Sequence, residues 1–167
     1  DSYYATILLS GIVLDTNNYT LNTSAETYYS SYYLASLGAS AKKVQYLLKQ
    51  DINEYTERQK LMADIETIDD KIAFTRASAN TIYRREDLAK VADTLLFFNN
   101  IEASFVIGKI GKDTIGISAR SLGNYDIGKI LTKLGGGGDN NAGAATKENT
   151  TLAKVEQELK KILKEGE

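Results

Sequence analysis

The chain reads as an α+β protein: a helical N-terminal segment joined by a helix to a mixed β-sheet domain flanked by helices. Three observations predict this. Apolar residues recur every three or four positions from the start to about residue 65, the helical period. After Asp69-Asp70 the period changes to two, with Ile72 and Phe74 alternating with Ala73 and Thr75. Two β-rich runs, 103–110 and 114–121, then flank Gly111-Lys112-Asp113, a hairpin signal. The chain therefore divides into residues 1–50, a connecting helix over 51–69 and an α+β unit over 70–167, the last a typical domain size.

Taken in order, Ala5, Ile7, Leu8 and Leu9 lead to Gly11 and predict the last turns of a helix with a glycine stop. Ile12, Val13 and Leu14 form an apolar run that delivers Asp15 to its end. Thr16-Asn17-Asn18 follows, a setting for a metal ligand or, more commonly, an Asx turn. Residues 26–37 are helical, with Tyr28, Tyr29, Tyr32, Tyr33 and Leu37 predicted as a core stripe and Gly38 as the C-cap. Ser40 is placed to cap a helix that turns Val44, Leu47 and Leu48 to one side. Asp51 and Glu54 have capping-box spacing and open the connecting helix, with Ile52, Tyr55, Leu61, Met62 and Ile65 inward. Residues 85–98 form a helix on Leu88, Val91, Ala92, Leu95 and Leu96, and 126–134 a shorter one that runs into four consecutive glycines. Leu152, Val155, Leu159, Ile162 and Leu163 define a terminal helix. Thr150 or Thr151 can cap it, and Lys160, Lys161 and Lys164 suit the negative end of its dipole.

Composition narrows the function. Hydrophobic content of 43% and charged content of 25% are ordinary for a globular protein. No apolar run approaches the roughly 18 residues that a membrane span needs. A formal net charge of −2 argues against a duplex DNA binder that works by neutralising phosphates. The chain has no Cys, which fits a reducing, cytoplasmic setting. It also has no His, which excludes histidine bases and histidine metal ligands within these residues. The opening at Asp1, in an apolar helical pattern without Met, suggests a piece of a longer polypeptide.

The chemistry concentrates in two places. Gly135, Gly136, Gly137 and Gly138, then Asp139-Asn140-Asn141 and the alanines 142, 144 and 145, read as a glycine turn leading into a short helix. Such a turn would leave backbone N–H donors facing an anion. Composition alone favours a flexible linker, but the run sits between two well-patterned segments. In the strand over 114–121, period two sends Ile115, Ile117 and Ala119 to the core and Gly116, Ser118 and Arg120 to the other side, with Ser121 and Gly123 following. Arg binds phosphate in a bidentate manner. Arg120 lies about fifteen residues before the glycines, so the two features can converge on one phosphate.

These stretches resemble a known family. Ala5-Thr6-Ile7-Leu8-Leu9-Ser10-Gly11-Ile12-Val13-Leu14-Asp15-Thr16-Asn17-Asn18-Tyr19 looks like the last metal motif of the DHH phosphoesterases, in particular the GdpP-type cyclic-di-AMP phosphodiesterases. Ala103-Ser104-Phe105-Val106, the run Gly116-Ile117-Ser118-Ala119-Arg120-Ser121-Leu122-Gly123 and the glycine loop up to Ala145 resemble that family's DHH-associated domain. The resemblance implies a catalytic domain with two Mn2+ ions and an associated nucleotide-binding domain. It would make residues 1–50 the end of the catalytic domain and Asp15 a metal ligand. Ser118, Arg120, Ser121, the four glycines and the Asp139 position would contact substrate. The partners implied are a cyclic dinucleotide or short oligonucleotide, the upstream DHH domain and, as an allowed assembly, a second copy of the chain; the parent protein could be membrane-anchored upstream. Three positions depart from the family pattern: Asp139 stands where it has His, and Asn22 and Glu26 where it has Arg. Two other readings stay open, a regulatory nucleotide-binding module without hydrolysis and an RNA-binding accessory domain. By itself the chain is expected to be inactive.

Overall fold

The computed structural model describes residues 1–165, which fall into two compact units, residues 1–52 and 53–165. The first contains α1 (Ser2–Asp15), α2 (Ala25–Ser36) and α3 (Ala41–Leu47). Ala5, Leu9, Leu34 and Val44 form its small core, with Ile12, Val13, Ala39 and Leu48 half-buried around them. The predicted glycine stop is corrected here: α1 runs through Gly11 to Asp15. Ile12 and Val13 continue the stripe begun by Ala5 and Leu9, and that packing outweighs the roughly 0.5–1 kcal/mol that a mid-helix glycine costs. A turn of left-handed residues follows, Asn17, Asn18 and Tyr19 at φ 44, 58 and 63. The tyrosine stripe of α2 is also corrected. Tyr28, Tyr29, Tyr32 and Tyr33 are all exposed, and only Leu34 of this helix is fully buried. Periodicity marks a stripe without saying what, if anything, covers it. Ser40 caps α3 as expected, its hydroxyl accepting from the Lys43 amide at 3.3 Å, while the Ser40 amide donates to Thr6 Oγ1 of α1 at 3.1 Å.

The second unit opens with α4 (Ile52–Leu61), which is shorter than the predicted connecting helix and leaves Ile52 and Tyr55 exposed. The Thr75 hydroxyl donates to the Leu61 carbonyl, anchoring the helix end on the sheet. Residues 66–68 then form a strand, β1 (Glu66–Ile68), hairpinned to β2 (Ile72–Arg76). Asp69 and Asp70 at φ 52 and 56, with the Lys71 amide bonded to the Ile68 carbonyl, make the left-handed turn this hairpin needs. Next come α5 (Arg85–Leu95), the antiparallel pair β3 (Ala103–Lys109) and β4 (Thr114–Ser121), α6 (Ile127–Thr132), β5 (Gly137–Gly138), β6 (Ala142–Glu148) and α7 (Leu152–Glu165). The sheet order is β1-β2-β3-β4-β6-β5, with β2 and β3 parallel and the other neighbours antiparallel. This is the mixed sheet that the sequence predicted, flanked on both faces.

Helix α5 packs through Leu88, Val91, Ala92 and Leu95 with Leu61 and Val106. On the other face, α6 and α7 bury Ile127, Leu131, Val155 and Leu159 against Ile115, Ile117 and Ala119. A further correction concerns residues 142–145, which are strand and not helix. Ala142 pairs with Arg120, and seven consecutive register pairs tie β6 to β4. Backbone groups that a helix would satisfy locally are satisfied here by the neighbouring strand, which overrides the helix preference of alanine.

Candidate functional site

The phosphate-binding candidate is built on one face of this sheet. Cross-strand partners share a face, so Ser118 opposite Ala144, Arg120 opposite Ala142 and Gly137 opposite Ala144 all lie on the α5 side. Helix α5 covers β3 and β4 on that side, while Ala144 of β6 is exposed. Arg120 is held at the border of the helix. Its Nε donates to Asp93 Oδ1 of α5 at 2.6 Å and its Nη1 to the Ala119 carbonyl at 2.8 Å, and its side chain is 18% exposed. The position of α5 is itself fixed next door, where Ser104 Oγ donates to the Ala92 carbonyl at 2.7 Å. A guanidinium has five N–H donors, so Nη2 retains two beyond these contacts.

The glycine run does three different jobs. Gly135 ends α6 at φ +79, and the Gly136 amide reaches back to the Leu131 carbonyl at 2.9 Å, a left-handed helix termination. Gly138 allows close approach: a Cβ there would lie 2.2 Å from the Ala142 carbonyl oxygen. Gly137 has neither reason. Its φ is not positive and an added Cβ would meet nothing within 4 Å. It is a bare stretch of backbone open on the side shared with Ser118 and Arg120.

Asp139 and Ser121 are engaged elsewhere. The Asp139 Oδ1 accepts from the Asn141 and Ala142 amides, both at 2.8 Å, closing the β5–β6 turn. Those bonds, aided by the positive charge of Arg120, hold its carboxyl below the usual aspartate range. Ser121 pairs with Ala103 on the opposite face, its hydroxyl accepting from the Gly123 and Tyr125 amides at 3.0 and 3.2 Å. Sequence reasoning missed Asp93, whose only signal is that an acid interrupts the apolar pattern between Ala92 and Leu95. It also missed Arg85 at the start of α5, whose Nη1 donates to Thr146 Oγ1 at 2.7 Å. A cleft of about 480 Å3 opens there, lined by Tyr83, Arg84, Arg85, Thr114, Thr146 and Glu148 among others.

In the first unit, Asp15, Asn22 and Glu26 come together in one cleft of about 310 Å3, with Thr16, Thr27 and Ser30. Two of the three departures from the family pattern, Asn22 and Glu26, therefore sit beside Asp15. A hydrogen bond from the Ser24 hydroxyl at 2.7 Å, the largest influence, draws the Glu26 carboxyl below its ordinary value. A pair of divalent ions needs several ligands for each ion. Among the described residues no group of three or more His, Cys, Asp or Glu side chains converges. The residues present do not by themselves fit a two-ion centre.

Residues 69–165 match the DHHA1 domain family. The chain is 39% identical over 159 residues to the cyclic-di-AMP phosphodiesterase GdpP of Geobacillus thermodenitrificans, covering 95% of this chain and 24% of that protein. It is 41% identical over 155 residues to the cyclic-di-AMP phosphodiesterase PdeA of Listeria monocytogenes, covering 93% and 24%. The chain thus spans about a quarter of the length of these curated relatives. Among solved structures, an exopolyphosphatase-related protein from Bacteroides fragilis shares the fold, with a TM-score of 0.76 at 21% identity over 94% of this chain and 49% of that one. With the family match running over β1 to α7 and two relatives aligned across both units, the chain belongs to the DHHA1-domain family of DHH phosphoesterases.

Proposed function

We propose that the second unit is the substrate-binding portion of a metal-dependent phosphodiesterase that acts on cyclic di-AMP or short linear oligonucleotides, with the first unit as the end of its catalytic DHH domain and the rest of that domain elsewhere in a longer polypeptide. The observation that carries this reading is Gly137, a glycine that neither backbone conformation nor packing requires, open on the face that holds Arg120 and Ser118. Arg120 offers Nη2 to a phosphate oxygen, and its ion pair with Asp93 fixes the direction of that offer. Ser118 lies two register pairs away on the same face, itself buried, and Arg85 supplies a second guanidinium along β6. The work of these groups is to hold and orient the phosphodiester, which lowers the entropic part of the barrier. In the longer protein Asp15 would be one ligand of the Mn2+ pair.

The test is calorimetry of cyclic di-AMP and of a linear adenylate dinucleotide binding to the longer polypeptide. Arg120→Ala should weaken binding by about 1.5–3 kcal/mol, the usual worth of a charge-assisted hydrogen bond. Gly137→Val should retain the thermal midpoint and lose binding, because its side chain enters only the space a ligand would use. Unchanged affinity in both variants would remove this face from the site. A second reading, a nucleotide-binding regulator without hydrolysis, is favoured by Asn22 and Glu26, since an acid beside Asp15 repels phosphate. Hydrolysis assays on the longer polypeptide with Mn2+ separate the two.

A further inference from the structure

The ion pair of Arg120 with Asp93 is followed on both of its elements by apolar residues that the fold leaves uncovered. Beyond Arg120 along β4, Leu122 is 61% exposed; beyond Asp93 along α5, Leu96 is half-buried and Phe97 is 63% exposed. The chain has four Phe. Phe74 and Phe105 are buried in the sheet, whereas Phe97 and Phe98 stand exposed just past the end of α5. Residues four apart on a helix are neighbours, with Cβ atoms about 5–6 Å apart. Phe97 therefore lies about one turn beyond the carboxylate that holds the guanidinium. That last turn is bonded: the Phe97 amide donates to the Thr94 carbonyl at 3.1 Å and the Phe98 amide to the Leu95 carbonyl at 3.3 Å. The backbone beneath the ring is thus already fixed, and an occupant need not order it.

A lone surface Phe needs no explanation. What sets this one apart is its neighbour, a guanidinium whose Nη2 retains two N–H donors. We infer that Phe97 is the stacking platform for a nucleobase whose attached phosphate is held by Arg120, so that the site favours nucleotides over simple phosphates. This rests on the reading of Arg120 as a phosphate-binding residue. A base is joined to its phosphate through one ribose, which spans the gap of one helical turn. Stacking uses the π-face that every base has, so the platform selects for the presence of a base and not for adenine over guanine.

The chain has no Trp, so Phe97→Trp introduces a single indole whose fluorescence reports on that position alone. In the 167-residue chain it should be quenched by linear adenylate and guanylate dinucleotides and not by inorganic pyrophosphate. By calorimetry, Phe97→Ala should weaken both dinucleotides about 5- to 150-fold, the range of one base–aromatic stack, and leave pyrophosphate unchanged. Phe97→Tyr should keep the affinity and Phe97→Leu should lose it, since leucine retains apolar bulk without a ring. An indole that the dinucleotides leave unquenched, or full affinity in Phe97→Leu, overturns the inference. So does an equal loss for pyrophosphate, which makes Phe97 a support for the end of α5 and not a base contact. Absence of dinucleotide binding by the unmodified chain overturns the platform as well, while the Arg120 reading is decided by calorimetry of the longer polypeptide. Quenching at undiminished affinity in a chain that also carries Arg120→Ala supports the platform and sinks the phosphate reading alone.

Discussion

At Asp139 one carboxylate oxygen closes the β5–β6 turn by accepting from two backbone amides. Because the folded state lowers its pKa, the ionised form is the stabilising one. Its contribution is present above the ordinary aspartate value of 3.8 and is lost as the pH falls through the lower folded value. An NMR titration should therefore give a midpoint for Asp139 below 3.8, and Asp139→Asn, which keeps an acceptor for the turn, should abolish that titration without opening the β5–β6 hairpin. Neighbouring glycines should respond in opposite ways. Gly138→Ala drives a Cβ to 2.2 Å from the Ala142 oxygen and should cost about 1–3 kcal/mol in denaturant unfolding. Gly137→Ala should leave stability unchanged or slightly raised. Asp93 acts through Arg120: Asp93→Ala should weaken nucleotide binding and Asp93→Asn, which keeps an acceptor for Nε, should preserve it.

Between elements, the buried pair Arg58–Asp87 joins α4 to α5 at 3.1 Å, with side chains 5% and 11% exposed. Burial, the largest influence, pushes the Asp87 carboxyl up, but hydrogen bonds from Arg84 and Arg58 together outweigh it and leave the group below its ordinary value. This stabilisation too is complete above the usual carboxylate range and fades on acidification through the folded pKa. Asp87→Ala would leave the Arg58 guanidinium buried without this carboxylate and should cost about 3–5 kcal/mol, measurable by urea unfolding at neutral pH. Since α5 also carries Asp93, that loss should extend to nucleotide binding.

For the whole molecule, the donor set sets the limit. Asp15 and Glu26 are the carboxylates of their cleft, and the chain has no imidazole. Two ions that share an attacking water need several ligands each. The 167-residue chain alone should therefore not hydrolyse cyclic di-AMP or a linear dinucleotide in Mn2+, followed by chromatography. Turnover that survives repurification and disappears in Asp15→Ala would overturn this. No helix of the described residues is long and apolar enough to cross a membrane.

What the sequence determined by itself was local and periodic. Alternation at Ile115, Ile117 and Ala119 set the face of β4, the apolar stripe at Leu152, Val155 and Leu159 set α7, and Ser40 set a cap, because each depends on neighbours within one turn or one strand, while the choice of Thr151 over Thr150 as the α7 cap came from the structure. Tertiary structure decided the rest. Ala142–Glu148 became a strand because β4 offered a ladder, and α1 passed Gly11 because Leu34 and Val44 rewarded its continuation. The tyrosines of α2 kept their spacing yet stayed exposed, since period does not specify a partner. The site divides in the same way. Arg120 and Gly137 were visible as residue types, but the Asp93 that aims the guanidinium is 27 positions away, and only the register of β3, β4 and α5 brings the two within 2.6 Å.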